Sequence, residues 1–154
     1  VMCRPHVVEA FEGDNKLSHL LTYGGHAAAC AAALANIAII ENEGLVENSA
    51  KMGAHLLEGL NTLQNHPTLG DVRGLGLIAG VELVKDKATK EKFAESSDEI
   101  KYLNQGLRDR GMLTRANHVI SLSPPLCITK ELVEKIVSII DDAVGDMERK
   151  FGHT

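Results

Sequence analysis

Thr22-Tyr23-Gly24-Gly25-His26 sets a hydroxyl and two glycines directly ahead of an apolar run, Ala27 to Ile40, in which Asn36 is the one polar residue. A helix start carries unpaired backbone N–H groups and the positive end of the helix dipole, so this entry suits an anion such as phosphate; a plain turn opening a buried helix uses the same residues. In Leu113-Thr114-Arg115 a planar guanidinium stands at the tip of a hairpin, where it either holds a carboxylate or faces water. His26 and Cys30 have the i, i+4 spacing of two metal ligands or of a Cys–His couple. Nothing near them supplies a third ligand, and a thiol inside an alanine-rich helix is expected to be buried away from substrate. The ten lysines, among them Lys16, Lys51, Lys85 and Lys101, lie in polar or charged stretches, unlike the desolvated amine that Schiff-base chemistry needs. No catalytic group and no metal site is assigned within the chain.

The elements that position these residues follow from periodicity and punctuation. Val1 to Cys3 has the character of a buried strand end, Pro5 to Phe11 of a short helix with an early proline, and Lys16 to Leu21 of a loop feeding Thr22. The Ala27 helix is apolar all round, which predicts burial, and Gly44 suits its left-handed cap. Leu45, Ser49, Met52, Leu56, Leu60 and Leu63 form one stripe of a second helix, ended by Asn65-His66-Pro67. From Val72 to Val84 the period becomes two, predicting a single strand with a glycine-rich face that admits a close neighbour. Gly74-x-Gly76-x-x-Ala79 fits a relaxed dinucleotide fingerprint, but it lies inside a strand rather than between strand and helix, and is rejected. Lys85 to Ser97 is expected to be a solvated loop. Ser96-Ser97-Asp98 caps a helix carrying Ile100, Leu103 and Leu107 and ending at Arg110-Gly111. Met112–Arg115 and Val119–Leu122 are expected to pair around Ala116-Asn117-His118, and Ser123-Pro124-Pro125 breaks the second. Thr129 caps a last helix with Leu132, Ile136, Ile139, Ala143 and Met147 on its apolar stripe, and Phe151 to Thr154 is expected to fray. The second half therefore predicts an antiparallel or mixed sheet under two helices.

Composition narrows the partners. A formal charge of -5, with no basic block, argues against nucleic acid. The Ala27–Ile40 run is too short to span a bilayer, so no membrane role is expected. Cys3, Cys30 and Cys127 are odd in number and widely spaced, which suits reduced thiols in the cytoplasm and no disulfide. Opening on Val1-Met2-Cys3 in an apolar run, the chain is expected to be cut from something longer.

Three stretches in order, Thr22-Tyr23-Gly24-Gly25-His26 through Leu34, Val72-Arg73-Gly74-Leu75-Gly76 through Leu83, and Ser123-Pro124-Pro125-Leu126, closely resemble the C-terminal part of the class III aminotransferases. These are pyridoxal-phosphate enzymes of fold type I, and the fit extends to their ω-amino acid:pyruvate branch. The resemblance implies that Thr22, matching the family's threonine, bonds the cofactor phosphate of the neighbouring subunit in a homodimer. It also implies that Arg115 matches the arginine that holds the substrate carboxylate. Ala27 stands where the family usually has proline after the motif histidine, which should alter the helix's first turn and leave the phosphate contact intact. The family's Schiff-base lysine, glycine-rich phosphate loop and pyridine-pairing aspartate have no counterpart here.

The expected fold is accordingly mixed α+β and α/β. Residues 1–67 would end a fold type I large domain with long helices, and 68–154 would form a small domain with a short sheet packed on helices. The expected function is amino transfer between an amine or ω-amino acid and a keto acid such as pyruvate, with the chain alone inactive and not retaining cofactor. The alternative is a non-catalytic dimerisation or regulatory module, or a truncated product that keeps the fold.

Overall fold

In the computed structural model, which describes residues 3–19 and 21–153, the chain divides into two units, Val1–Ala38 and Ile39–Thr154. Val1 and Met2 of the expected strand end lie outside the described residues; Cys3 is exposed and belongs to no strand. Proline at the first turn opens α1 (Pro5–Val8), which tightens into a 3-10 turn, Glu9–Phe11. The expected burial of α2 (Ala27–Asn42) is not met. None of its residues is buried, and Leu34, Ile37 and Ile39 face solvent, because the described residues lay no element over its apolar sides.

The second unit is a sheet with helices on it. Gly44, at φ +60°, separates α2 from α3 (Leu45–Thr62), whose buried stripe runs Met52, Leu56, Leu60 as its spacing requires. The chain then departs from the single strand expected over Val72 to Val84. It folds back as β1 (Leu69–Leu75) and β2 (Ile78–Leu83), with Leu75 paired to Ile78 across the turn. Gly76 is the cause. Its φ of +56° at the first of two turn residues is a left-handed conformation that suits glycine, and it reverses the chain within an otherwise continuous alternation. The close neighbour expected at the glycines is α3, since a Cβ on Gly53 would stand 2.1 Å from the Gly76 carbonyl oxygen. The rejected fingerprint thus spans a hairpin, with no helix behind it.

Lys85 to Ser97 is exposed for most of its length, but Phe93 is buried. Asp86 accepts from the N–H groups of Ala88 and Thr89, and those backbone donors, Thr89 first, hold its carboxyl below the usual range. Ser97 caps α4 (Asp98–Asp109) by accepting from Ile100 N at 3.3 Å. β3 is only Arg115–Ala116, shorter than the Met112–Arg115 strand expected, and it pairs with β4 (Val119–Leu122). The order is β1-β2-β4-β3, antiparallel at every pairing.

α3 packs on β1 and β2, α4 on β3, and α5 (Lys130–Phe151) on both α3 and α4. The stripe of α5 is wider than the one expected: Ala143 and Met147 are buried and Ile136 and Ile139 partly so, Val133, Ile140 and Val144 are buried beside them, and only Leu132 of the expected set is half exposed. A single-helix pattern does not name the neighbours that cover it. The expected fraying is absent over the described end. Gly152 N and His153 N both donate to Glu148 O, while Phe151 and His153 stack edge-on against Tyr102 and Phe93. Thr154 lies outside the described residues.

Candidate functional site

Thr22 stands in a tight double turn within the first unit. Gly24 N donates to Leu21 O at 3.1 Å and His26 N to Tyr23 O at 3.3 Å, with Gly25 at φ +75°. The turn runs into α2 as the residues suggested, with His26 as the single residue between them. Thr22 lies ahead of a separate cap, His26, whose Nδ1 accepts from Ala29 N at 3.4 Å. The Thr22 side chain is therefore not spent on capping. It is exposed and makes no hydrogen bond among the described residues, beside a helix start where oriented N–H groups favour anions.

His26 and Cys30 share one face of α2, but the thiol expected to be buried is exposed, like those of Cys3 and Cys127. Among the described residues no group of three or more metal-ligating side chains occurs. All ten lysines are exposed.

Arg115, in the second unit, is not at the hairpin tip; Asn117 and His118 are. It is the first residue of edge strand β3, opposite Ser121, and its strand neighbour Ala116 is fully buried. The guanidinium is exposed and has no acidic partner among the described residues. A cavity of about 500 Å³ opens beside it between α4 and β3, lined also by Lys101, Asn104, Arg108 and the carboxylate of Glu95, with Lys101 itself paired to Asp98, so its cations outnumber its one acid. The field there favours an anion, and a guanidinium fork suits a carboxylate.

Two asparagines that the sequence analysis passed over position these segments. Asn104, on α4, donates to Ala116 O at 2.6 Å and accepts from Ala116 N at 3.3 Å, so its amide completes the free edge of β3 as a further strand would. Asn48, on α3, donates to Leu126 O at 2.7 Å and Ile128 O at 3.1 Å, anchoring the loop that follows Ser123-Pro124-Pro125. Both are polar residues on amphipathic helices, and their sequence signal is that of any solvated position.

Comparison with known proteins gives one consistent likeness. The family described as aminotransferase class-III matches residues 1–144. The taurine–pyruvate aminotransferase of Bilophila wadsworthia is 46% identical over 146 residues, covering 90% of this chain and 32% of that protein. An uncharacterized aminotransferase of Bacillus subtilis, YhxA, is 38% identical over 148 residues, covering 89% and 32%. Among solved structures, the omega transaminase of Pseudomonas jessenii in complex with PMP superposes with a TM-score of 0.82 at 36% identity, covering 95% of this chain and 32% of that one. A transaminase from the marine bacterium Virgibacillus gives 0.80 at 38%, covering 88% and 32%. The chain spans about a third of the length of the curated relatives it matches.

Proposed function

Because the chain belongs to the class III aminotransferase family, we propose that it supplies the C-terminal part of a fold type I enzyme that moves an amino group from an amine or ω-amino acid to a keto acid such as pyruvate. Residues 1–67 would close the large domain and 68–154 form the small one. The observation that carries this reading is the 46% identity to a taurine–pyruvate aminotransferase over nearly the whole chain.

Pyridoxal phosphate, which the family implies, supplies an electron sink for the carbon bearing the amine when bound. The donors of this chain fit its phosphate end and no other part. The Thr22 hydroxyl is exposed and uncommitted among the described residues, whereas ten exposed lysines include no desolvated amine. In this reading Thr22 donates a hydrogen bond to the phosphate of the neighbouring subunit's cofactor, so that a homodimer is needed for a complete site. Arg115 binds and orients the substrate carboxylate through its two forward N–H groups. The three exposed thiols suit a reducing, cytoplasmic setting.

Supplied with pyridoxal phosphate, pyruvate and an amine donor, the 154-residue chain is expected to give no turnover; turnover would place the chemistry within it. Substituting this sequence for the matching segment of the Bilophila enzyme should yield an active transaminase, and Thr22→Ala in that chimera should weaken cofactor binding about tenfold, as one lost hydrogen bond to a charged group does. A chimera that folds and binds cofactor but transfers no amino group would sink the catalytic reading and favour a non-catalytic module.

A further inference from the structure

His66 lies where the chain passes from α3 to β1, and both of its ring nitrogens face carboxylates of α5. Nδ1 is 2.6 Å from Glu148 Oε2, and Nε2 is 2.7 Å from Asp141 Oδ1. Glu148 is buried, and its other oxygen accepts from Thr68 N at 3.0 Å and from Thr68 Oγ1 at 2.6 Å. Thr68 thus spends its backbone and hydroxyl donors on one oxygen and fixes the Glu148 carboxyl group in place, with the other oxygen turned to His66. A neutral imidazole has one N–H, so only the imidazolium can donate to both acids; loss of the proton sets a lone pair against one of them. Asp141 is the exposed member and can turn to water, whereas Glu148 is held by Thr68.

We propose that His66 is a proton-operated latch: its imidazolium fastens the α3–β1 connection to α5 through Asp141 and Glu148 together, and deprotonation releases the Asp141 arm. The remaining charges around it are accounted for. Arg149 is the cation of α5 on this side, since a Cβ on Gly145 would meet its Nη1 at 3.2 Å and His66 Cε1 at 3.6 Å, and it is ion-paired to Asp146. Lys87, from the loop after β2, is turned onto Gln64 O at 2.6 Å. Neither replaces the proton on His66. Burial pushes the imidazole down, but the hydrogen bonds it donates to Glu148 and then Asp141, with their charges, outweigh it and raise His66 above the ordinary histidine value. The latch therefore contributes fully below that ordinary value and is lost as pH rises through the raised one. His66 and Asp141 line an open hollow of about 340 Å³ with Thr62, Asn65 and Pro67, so the Asp141 arm borders solvent.

The test is an NMR titration of the His66 ring in the 154-residue chain, set against the same ring in urea. His66 is expected to titrate higher in the folded chain, and Asp141→Asn, a substitution at an exposed position, should lower its midpoint by at least half a pH unit. His66→Gln should also flatten the fall in thermal midpoint above neutral pH. A His66 midpoint at or below the urea value, or one that Asp141→Asn leaves unmoved, would overturn the latch. A merely packed histidine gives that second result.

Discussion

A side-chain amide does at β3 what a strand does elsewhere. The Asn104 carbonyl and amino groups meet the N–H and C=O of Ala116, the residue next to Arg115, and a third contact to Ile100 O keeps the amide on its own helix. Asn104→Leu, close in size and apolar, leaves both Ala116 groups without a partner in a half-buried place. It is expected to destabilise the second unit by about 1–3 kcal/mol, measured as a lower urea midpoint with an unchanged slope. Loss of less than half of that would mean that water reaches this edge. In the chimera the same substitution should raise KM for the keto acid more than it lowers kcat, if Arg115 holds the substrate carboxylate as proposed. Neither Asn104 nor Asn48 is legible in sequence, since an asparagine on the margin of an apolar stripe has the same signature whether it bonds backbone or water.

At the scale of elements, the glycines of the 70–80 stretch are explained by what lies against them. Alternation through Leu75, Leu77 and Ala79 has the period of one strand, yet the left-handed Gly76 breaks it into a hairpin whose tip rests on α3. The contact is backbone to backbone at Gly53. Gly53→Ala would force the helix and the hairpin apart, with an expected loss of about 3 kcal/mol, at the upper end of ordinary overpacking. Gly59→Ala is the control. Its Cβ would meet the Val137 side chain, one methyl at 2.8 Å, rather than backbone, so a smaller drop in thermal midpoint than for Gly53→Ala is expected. Equal midpoints for the two variants would refute the close-approach account. The width of the α5 stripe is likewise set by neighbours. Period-3.6 counting says that a helix has an apolar side, but the flanking helices decide which positions that side includes.

Over the whole molecule the main tension is α2. Its all-round apolar composition demands surrounding protein, and the described residues leave Leu34 and Ile37 in solvent. An exposed apolar helix drives association, so the chain is expected to self-associate with rising concentration in sedimentation, and Leu34→Glu with Ile37→Glu should shift it toward monomer. Unchanged sedimentation in the double variant would show that another surface is responsible. Sequence by itself determined the mixed α and β class, the helix positions, the four-residue spacing of the core of α3 and the three motifs behind the family resemblance, because period, caps and glycine placement are local properties of a chain. Tertiary structure alone decided the hairpin at Gly76, the edge position of Arg115, the amide-completed strand and the meeting of His66 with Asp141 and Glu148. Asn104 stands 12 residues from Ala116 and His66 82 from Glu148, separations with no trace in local spacing, and the hairpin tip is settled by its close approach to Gly53 on α3.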